Sequence, residues 1–244
     1  MSTISINIDE KRFSNPQGQL CAIADFKLTI TRNQFVCLVG PSGCGKTTLL
    51  NLIAGLDRDF SGDISLTNAG QTPHIGYVFQ NPRLLPWRTV RENIELVFPD
   101  TPPHRLIDSL LAAMQLTDQA NAYPEHLSLG MQRRVAIIRA FAVNPDILLM
   151  DEPFVSLDPH NARQIRLALL TLWRQRPHTV LFVSHDLREA ITLADRLIFL
   201  SDSPMQALAD ITVNLTSEQR QDDSAIENFR RQLIIQHPAI HSLL

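Results

Sequence analysis

The sequence predicts an α/β fold with a mainly parallel sheet, because short apolar runs alternate with helix-like stretches along the chain. The runs are continuous and rich in β-branched or aromatic residues, which is typical of strands buried on both faces. They lie at residues 35–39, 75–79, 147–150 and 179–183. The helix-like stretches between them lie at residues 46–54, 132–143 and 161–174.

Two regions depart from this rhythm. The first 34 residues alternate apolar and polar positions, as at Ile4, Ile6 and Ile8, which predicts an N-terminal antiparallel β subdomain with one solvated face. Residues 82–144 show helical periodicity and prolines without a strand pattern, which predicts an inserted α-helical subdomain. Further helices are expected at 88–97, 105–114 and 224–235. We therefore expect a single domain over 1–244, with a core at 1–81 and 145–216, the helical subdomain at 82–144 and a helical tail at 217–244.

The composition excludes several classes of protein. The chain is 44% hydrophobic and 19% charged, which is enough apolar material for a sizeable core, and its net charge of −3 argues against a general nucleic-acid binder. The three cysteines, Cys21, Cys37 and Cys44, lack metal-ligand spacing, so neither a disulfide scaffold nor a zinc module is expected. No apolar run approaches the ~18 residues of a membrane span, and the N-terminus lacks a signal-peptide pattern. Any membrane role must come through a partner.

A glycine-rich segment follows the first apolar run. Residues 40–48 match the P-loop pattern G-x-x-x-x-G-K-[ST] between a predicted strand and a predicted helix. Glycines let backbone N–H groups converge on phosphate, and the helix N-terminus adds partial positive charge. Lys46 would reach the β- and γ-phosphates and Thr47 would ligate Mg²⁺, whereas the alternative is a glycine turn without function. The predicted P-loop NTPase core therefore binds nucleotide through Gly40, Pro41, Ser42, Gly43, Cys44, Gly45, Lys46, Thr47 and Thr48.

Two acidic residues end the apolar run at 147–150. Asp151 stands at the carboxyl end of a predicted strand, where a carboxylate beside a P-loop can hold Mg²⁺. Glu152 points differently along the pleat and can face an attacking water, so we assign it as general base. The alternative is an ordinary acidic loop after a strand.

With these motifs in place, the chain resembles the nucleotide-binding subunit of an ABC transporter over about residues 4–213. Residues 127–131 read Leu-Ser-Leu-Gly-Met and resemble the family signature, usually Leu-Ser-Gly-Gly-Gln. The resemblance implies that Ser128 and Gly130 bind the γ-phosphate held by the P-loop of a second subunit. Leu129 stands where glycine is usual, and a side chain there is expected to strain the turn or narrow the approach. The local alternative is a simple helix cap.

The resemblance assigns four further residues. Gln80 corresponds to the Q-loop glutamine, which senses Mg²⁺ or the attacking water, so the implied metal ligands are Thr47, Gln80 and Asp151. His185 corresponds to the switch histidine that contacts the γ-phosphate, and Ser156–Asp158 to the D-loop at the dimer interface, with Asp158 at the nucleotide. Phe13 would stack on adenine, or is otherwise a plain strand residue.

The family also implies ligands, partners and a location. They are ATP and Mg²⁺, a homodimer formed on ATP binding, separate transmembrane permease subunits and, indirectly, an extracytoplasmic solute-binding protein. The chain would lie peripherally on the cytoplasmic face of the inner membrane. Residues 81–87 and Met131 resemble the same positions in importers of the nitrate, sulfonate and taurine type. This resemblance implies a small anion or organic molecule as cargo. Leu84, Leu85 and Trp87 would receive a permease helix, or are simply core.

Other classes of ATPase remain as alternatives. A catalytically weak regulatory cassette would be consistent with Leu129. A non-transport relative would be expected to carry a long coiled-coil insertion or two cassettes in one chain, and 244 residues hold neither. A P-loop kinase or GTPase does not account for the combination of Gln80, Ser128, Gly130 and His185.

Overall fold

The computed structural model of the chain describes residues 3–15, 18–67, 72–155, 157–238 and 240. The chain forms two compact units, one of Met1–Pro73 with Thr179–Leu244 and one of His74–His178. The strands are β1 Thr3–Asn15, β2 Gly18–Thr31, β3 Phe35–Val39, β4 Ser61–Thr67, β5 Ile75–Val78, β6 Ile147–Asp151, β7 Thr179–Ser184, β8 Arg196–Leu200 and β9 Ala207–Thr212. The helices are α1 Lys46–Ile53, α2 Val90–Glu95, α3 His104–Ala113, α4 Leu129–Ala142, α5 Pro159–Gln175, α6 Leu187–Leu193 and α7 Asp223–Gln236, with short 3-10 turns at 117–119, 124–126 and 219–221.

An antiparallel sheet in the first unit has the strand order β2-β1-β4. Ile4, Ile6 and Ile8 are buried and alternate with more exposed residues, which confirms the expected N-terminal antiparallel pattern. The third strand, β4, is not predicted by the sequence, because only Ile64 and Leu66 are apolar within it. Its register on β1 sets Ile64 opposite Ile6, so the pairing rather than the local pattern defines the strand.

The first unit also contains the strands β7-β3-β8-β9, adjacent in that order. Strand β3 pairs in parallel with both β7 and β8, and all five of its residues are buried. A strand covered on both faces needs a continuous apolar run, so the prediction at residues 35–39 is confirmed. Strands β8 and β9 are not among the strands predicted from the sequence, and β9 is a largely exposed strand that runs antiparallel to β8.

In the second unit, β5 pairs in parallel with β6, and residues 82–144 form helices and 3-10 turns without a strand. The α/β class is therefore confirmed, while the predicted division into core, helical subdomain and tail stays a prediction. Helix α4 lies very close to β5, since a Cβ built at Gly76 would be 2.6 Å from the Ala140 carbonyl oxygen. Only glycine fits at this position.

The helix predicted at 224–235 forms as α7. The preceding turn is fastened to α6 by Arg220, whose Nη1 donates to the carbonyl oxygens of Ile191 (3.0 Å) and Ala194 (2.5 Å). A cation on the last carbonyls of a helix complements its negative dipole end. None of the described helices combines the length and the apolarity that a bilayer crossing requires.

His178 is a buried imidazole at the end of the second unit. Its ring packs edge-on against Phe141, with the centroids 5.0 Å apart, and its Nδ1 lies 2.8 Å from the Arg176 carbonyl oxygen. The other ring nitrogen, Nε2, is buried and has no hydrogen-bond partner among the described residues. Burial therefore lowers the pKa of His178, because a second proton would have to enter apolar surroundings.

This burial predicts acid-sensitive stability. Below about pH 6.5, the usual imidazole pKa, the unfolded chain binds a proton at this histidine that the folded chain does not bind. The free energy of unfolding therefore decreases as the pH is lowered. Above that pH the effect vanishes. Urea unfolding between pH 8 and pH 5.5 should show a smaller loss of stability for His178→Phe than for the unchanged chain. Equal slopes for the two proteins would contradict the assignment, and His74→Phe, at an exposed position of the same unit, provides the control.

Candidate active site

The glycine-rich loop joins β3 to α1 in the first unit. Gly43 and Gly45 have φ values of 82° and 108°, a left-handed region that residues with a Cβ rarely adopt. Gly45 is the N-cap of α1 and makes no side-chain capping bond. The first backbone N–H groups of α1 therefore follow glycines and have no side-chain acceptor at the N-cap, as an anion-binding loop requires.

The Lys46 side chain braces this loop through hydrogen bonds to its backbone. Its Nζ donates to the carbonyl oxygens of Gly40 (2.8 Å) and Pro41 (2.7 Å), and the residue is only 5% exposed. Gly40 is closely packed, since a Cβ there would be 3.0 Å from the Leu200 Cβ. Burial raises the pKa of the Cys44 thiol, so this cysteine stays neutral within the loop.

His185 also belongs to the first unit and is exposed in the turn between β7 and α6. The Ser184 hydroxyl donates to Glu189 Oε2 at 2.6 Å and accepts from the Asp186 backbone N–H at 3.0 Å. Asp186 caps α6 by accepting from the N–H groups of Arg188 and Glu189. The residues flanking His185 are thus fixed on both sides. Sequence reasoning missed Glu189, a buried carboxylate that accepts from the Ser184 hydroxyl.

The two acidic residues lie at the end of β6 in the second unit. Asp151 is the last residue of the strand and is 5% exposed, and its negative charge adds to burial in raising the pKa of Tyr77. Glu152 follows with a φ of 43°, a strained conformation for a residue other than glycine. This turn separates the two carboxylates, leaving Asp151 buried and Glu152 half-exposed.

Gln80 is brought to Glu152. Its Nε2 donates to Glu152 Oε2 at 3.4 Å, although the residues are 72 positions apart in the chain. The segment that follows Gln80 carries Trp87, which is 69% exposed, so the core interpretation is wrong for this residue. Sequence reasoning missed Asn93, a fully buried side chain that holds this segment. Asn93 Oδ1 accepts from the Leu85 N–H at 2.8 Å, and its Nδ2 donates to the carbonyl oxygens of Leu85, Arg88 and Thr89.

Ser128 is the N-cap of α4, and its Oγ accepts from the Met131 N–H at 3.2 Å. The helix-cap interpretation is therefore correct, and it leaves the hydroxyl proton available to donate to an anion. Leu129 is the first helical residue, 45% exposed, and is not among the described residues with positive φ. The expectation that its side chain strains the turn is wrong, because an ordinary helical backbone accepts leucine. Gly130 also lies in the first turn of α4.

The two remaining predicted residues are Asp158 and Phe13. Asp158 caps α5 by accepting from the Asn161 N–H at 3.0 Å, while Ser156 of the same predicted loop lies outside the described residues. Phe13 lies on β1, is 40% exposed, and has the Lys11 ammonium 4.8 Å from its ring centroid. Of the predicted site residues, the P-loop, Phe13 and His185 belong to the first unit, and Gln80, Ser128, Gly130, Asp151, Glu152 and Asp158 belong to the second.

Comparison with known proteins agrees with these motifs. The chain is 36% identical over 232 residues to the nitrate import ATP-binding protein NrtD of Synechococcus elongatus, covering 90% of this chain and 84% of that protein. It is 35% identical over 237 residues to the aliphatic sulfonates import ATP-binding protein SsuB of Bacillus licheniformis, covering 95% and 93%. The SsuB protein of Bacillus subtilis is 38% identical over 206 residues, covering 82% and 81%.

Solved structures give the same result. The dimeric structure of MJ0796, a bacterial ABC transporter cassette, matches with a TM-score of 0.76 at 30% identity, covering 87% of this chain and 100% of that one. A dimeric post-hydrolysis state of the same ATP-binding cassette, bound to ADP and Pi, matches with a TM-score of 0.75 at 30% identity, covering 88% and 100%. The family model described as ABC transporter matches residues 23–155, more than half of the chain. The chain belongs to the ABC transporter family.

Proposed function

We propose that this chain is the ATP-hydrolysing subunit of a bacterial ABC importer, in which ATP-driven closure of a homodimer is coupled to separate permease subunits. The observation that carries this function is the loop at 40–45, whose left-handed glycines open α1 without a side-chain cap in a chain of the ABC family. The import function of the similar NrtD and SsuB proteins supports the direction of transport.

ATP binds through the P-loop residues 40–48, with Lys46 at the β- and γ-phosphates and Phe13 on the adenine. The half-exposed ring of Phe13 supports a stacking role. Mg²⁺ would be held by Thr47, Gln80 and Asp151, whose hydroxyl, amide and carboxylate oxygens are hard donors that fit this ion. Bound there, Mg²⁺ neutralises charge on the phosphates.

Hydrolysis needs a water aimed at the γ-phosphorus and a group that takes its proton. Glu152 accepts this proton as the water oxygen attacks and the bond from the γ-phosphorus to the bridging oxygen breaks, giving ADP and phosphate. Gln80 orients the Glu152 carboxylate, a role supported by the contact between their side chains. His185 donates to the γ-phosphate, and the fixed turn around it supports a positioned role.

The second half of each ATP site comes from the partner protomer in a homodimer closed by ATP. Ser128 and Gly130 bind the γ-phosphate through hydroxyl and backbone N–H groups, and Asp158 lies at the same interface. The dimeric form of the similar cassette MJ0796 supports this arrangement. ATP then holds the two protomers together, and hydrolysis releases them.

Coupling to transport takes place at permease subunits on the cytoplasmic face of the inner membrane, where this chain is peripheral. The exposed Trp87, on a segment held by buried Asn93, supports a contact there. An extracytoplasmic solute-binding protein delivers the cargo to the permease. The cargo is a small anion or organic solute, in keeping with the nitrate and sulfonate import of similar proteins.

Glu152→Gln tests the catalytic assignment. The amide cannot accept the proton of water, so turnover should fall by about 10²-fold or more, while ATP binding and ATP-dependent dimerisation remain. Phosphate release and sedimentation velocity with Mg²⁺ and ATP measure the two properties. Glu125→Gln, an exposed acidic residue of the same unit, is the control. Unchanged hydrolysis by Glu152→Gln would exclude the role.

Ser128→Asp separates the cap from the phosphate contact. Aspartate is as good an N-cap as serine, so the melting temperature should be kept, but its negative charge should oppose a γ-phosphate and abolish ATP-dependent dimers. Sedimentation in the Glu152→Gln background provides the measurement. Thr89→Asp is the matched control, because Thr89 caps α2 in the same way and is assigned no phosphate. Dimers of Ser128→Asp as stable as those of this control would refute the half-site.

A further inference from the structure

Gln80 lies in a short segment that leaves β5 and returns to helix α4. Strand β5 ends at Val78, and its Gly76 lies so close to α4 that no side chain fits between them. Four residues after the strand, the chain meets the same helix again at Arg139. The segment 79–83 thus leaves a strand that packs on α4, and its far end is hydrogen-bonded to α4.

Arg139 makes the second of these attachments. Its Nη1 donates to the Arg83 carbonyl oxygen and its Nη2 to the Pro82 carbonyl oxygen, both at 3.0 Å. The planar guanidinium can reach two consecutive carbonyls at once, which a single ammonium group does less well. Burial lowers the pKa of Arg139, and no ion pair to a carboxylate is recorded for it among the described residues. A half-buried cation therefore donates to two backbone acceptors.

The segment held in this way is conformationally strained. Arg83 has a φ of 48°, an uncommon conformation for a residue with a long side chain. Its guanidinium lies 3.9 Å from the centroid of the Phe79 ring, which in turn stacks on Tyr77 with centroids 4.1 Å apart. Arg83 is thus held at its carbonyl by Arg139 and at its side chain by Phe79.

Gln80 is next to Phe79 and two residues before Pro82, so it lies between these two restraints. Its side chain reaches Glu152 Oε2 at 3.4 Å, which is near the outer limit of a hydrogen bond. A small displacement of the segment would break this contact. We infer that Arg139 is a positioning residue for hydrolysis, which fixes the backbone at 82–83 so that Gln80 stays in reach of Glu152.

The inference rests on the proposed ATPase function and has a test independent of it. Arg139→Met keeps the length of the side chain but cannot donate to either carbonyl, whereas Arg139→Lys keeps the charge with a single donor group. Hydrogen exchange without nucleotide should be at least about tenfold faster in peptides covering residues 79–83 of Arg139→Met. Arg91→Met, which removes a guanidinium bonded to Asp108 elsewhere in the unit, should leave these peptides unchanged.

The kinetic test is a double-mutant cycle with Gln80→Ala. Arg139→Met should lower kcat about tenfold with KM for ATP within about twofold, Arg139→Lys should lie between, and the loss should largely disappear in the Gln80→Ala background. Equal losses in both backgrounds, or unchanged exchange at 79–83, would overturn the inference. If Arg139→Met does not fold, Arg139→Lys makes the same comparison. If the chain without substitutions hydrolyses no ATP, the proposed function is contradicted. The exchange result alone would then decide whether Arg139 fixes residues 79–83.

Discussion

The first backbone N–H groups of an α-helix have no carbonyl acceptor within the helix. The proposed site depends on which other groups accept hydrogen bonds from them. Helices α2, α4, α5, α6 and α7 begin with side-chain acceptors from Thr89, Ser128, Asp158, Asp186 and Asp222. Helix α1 begins instead at a left-handed glycine, and α3 follows Pro103. At α1 the capping acceptor in the proposed site is a phosphate. At α4 the capping hydroxyl has a proton of its own, so one residue can serve both the helix and an anion.

Two of the four described residues with positive φ in the second unit, Arg83 and Glu152, lie at the proposed chemistry, and the other two are Gln115 and Asn144. Arg83 follows Gln80 by three residues, and Glu152 is itself the acceptor in the contact with Gln80. Such conformations persist only when surrounding contacts hold them. Here the contacts come from Arg139 and Phe79 around Arg83, and from the strand end that places Asp151 before Glu152. The contacts of this segment with α4 and the end of β6 therefore determine where the Gln80 amide lies relative to Glu152.

The sequence predicts best where the cause of the structure is local. An apolar run of five residues followed by glycines predicts β3 and the loop before α1 correctly, because burial on both faces and positive φ each select residue types directly. Strand β4 escapes prediction because its partner β1, not its own pattern, makes it a strand. The positioning residues escape for the same reason. Arg139 and Pro82 are 57 residues apart in the chain, and Asn93 resembles any polar helix residue until its burial is known. Site residues that match a motif could be proposed, whereas those that hold the motif in place could not.

The brace inside the glycine loop has one more consequence. The Lys46 ammonium carries three N–H groups, and among the described residues two acceptors, Gly40 O and Pro41 O, are satisfied by it. The remaining donor can meet an anion while the brace stays in place. Capture of a ligand then requires little reshaping of the loop, so little of the binding energy is lost to ordering the chain. Successive rounds of nucleotide binding and release in the proposed cycle could therefore use the same loop conformation.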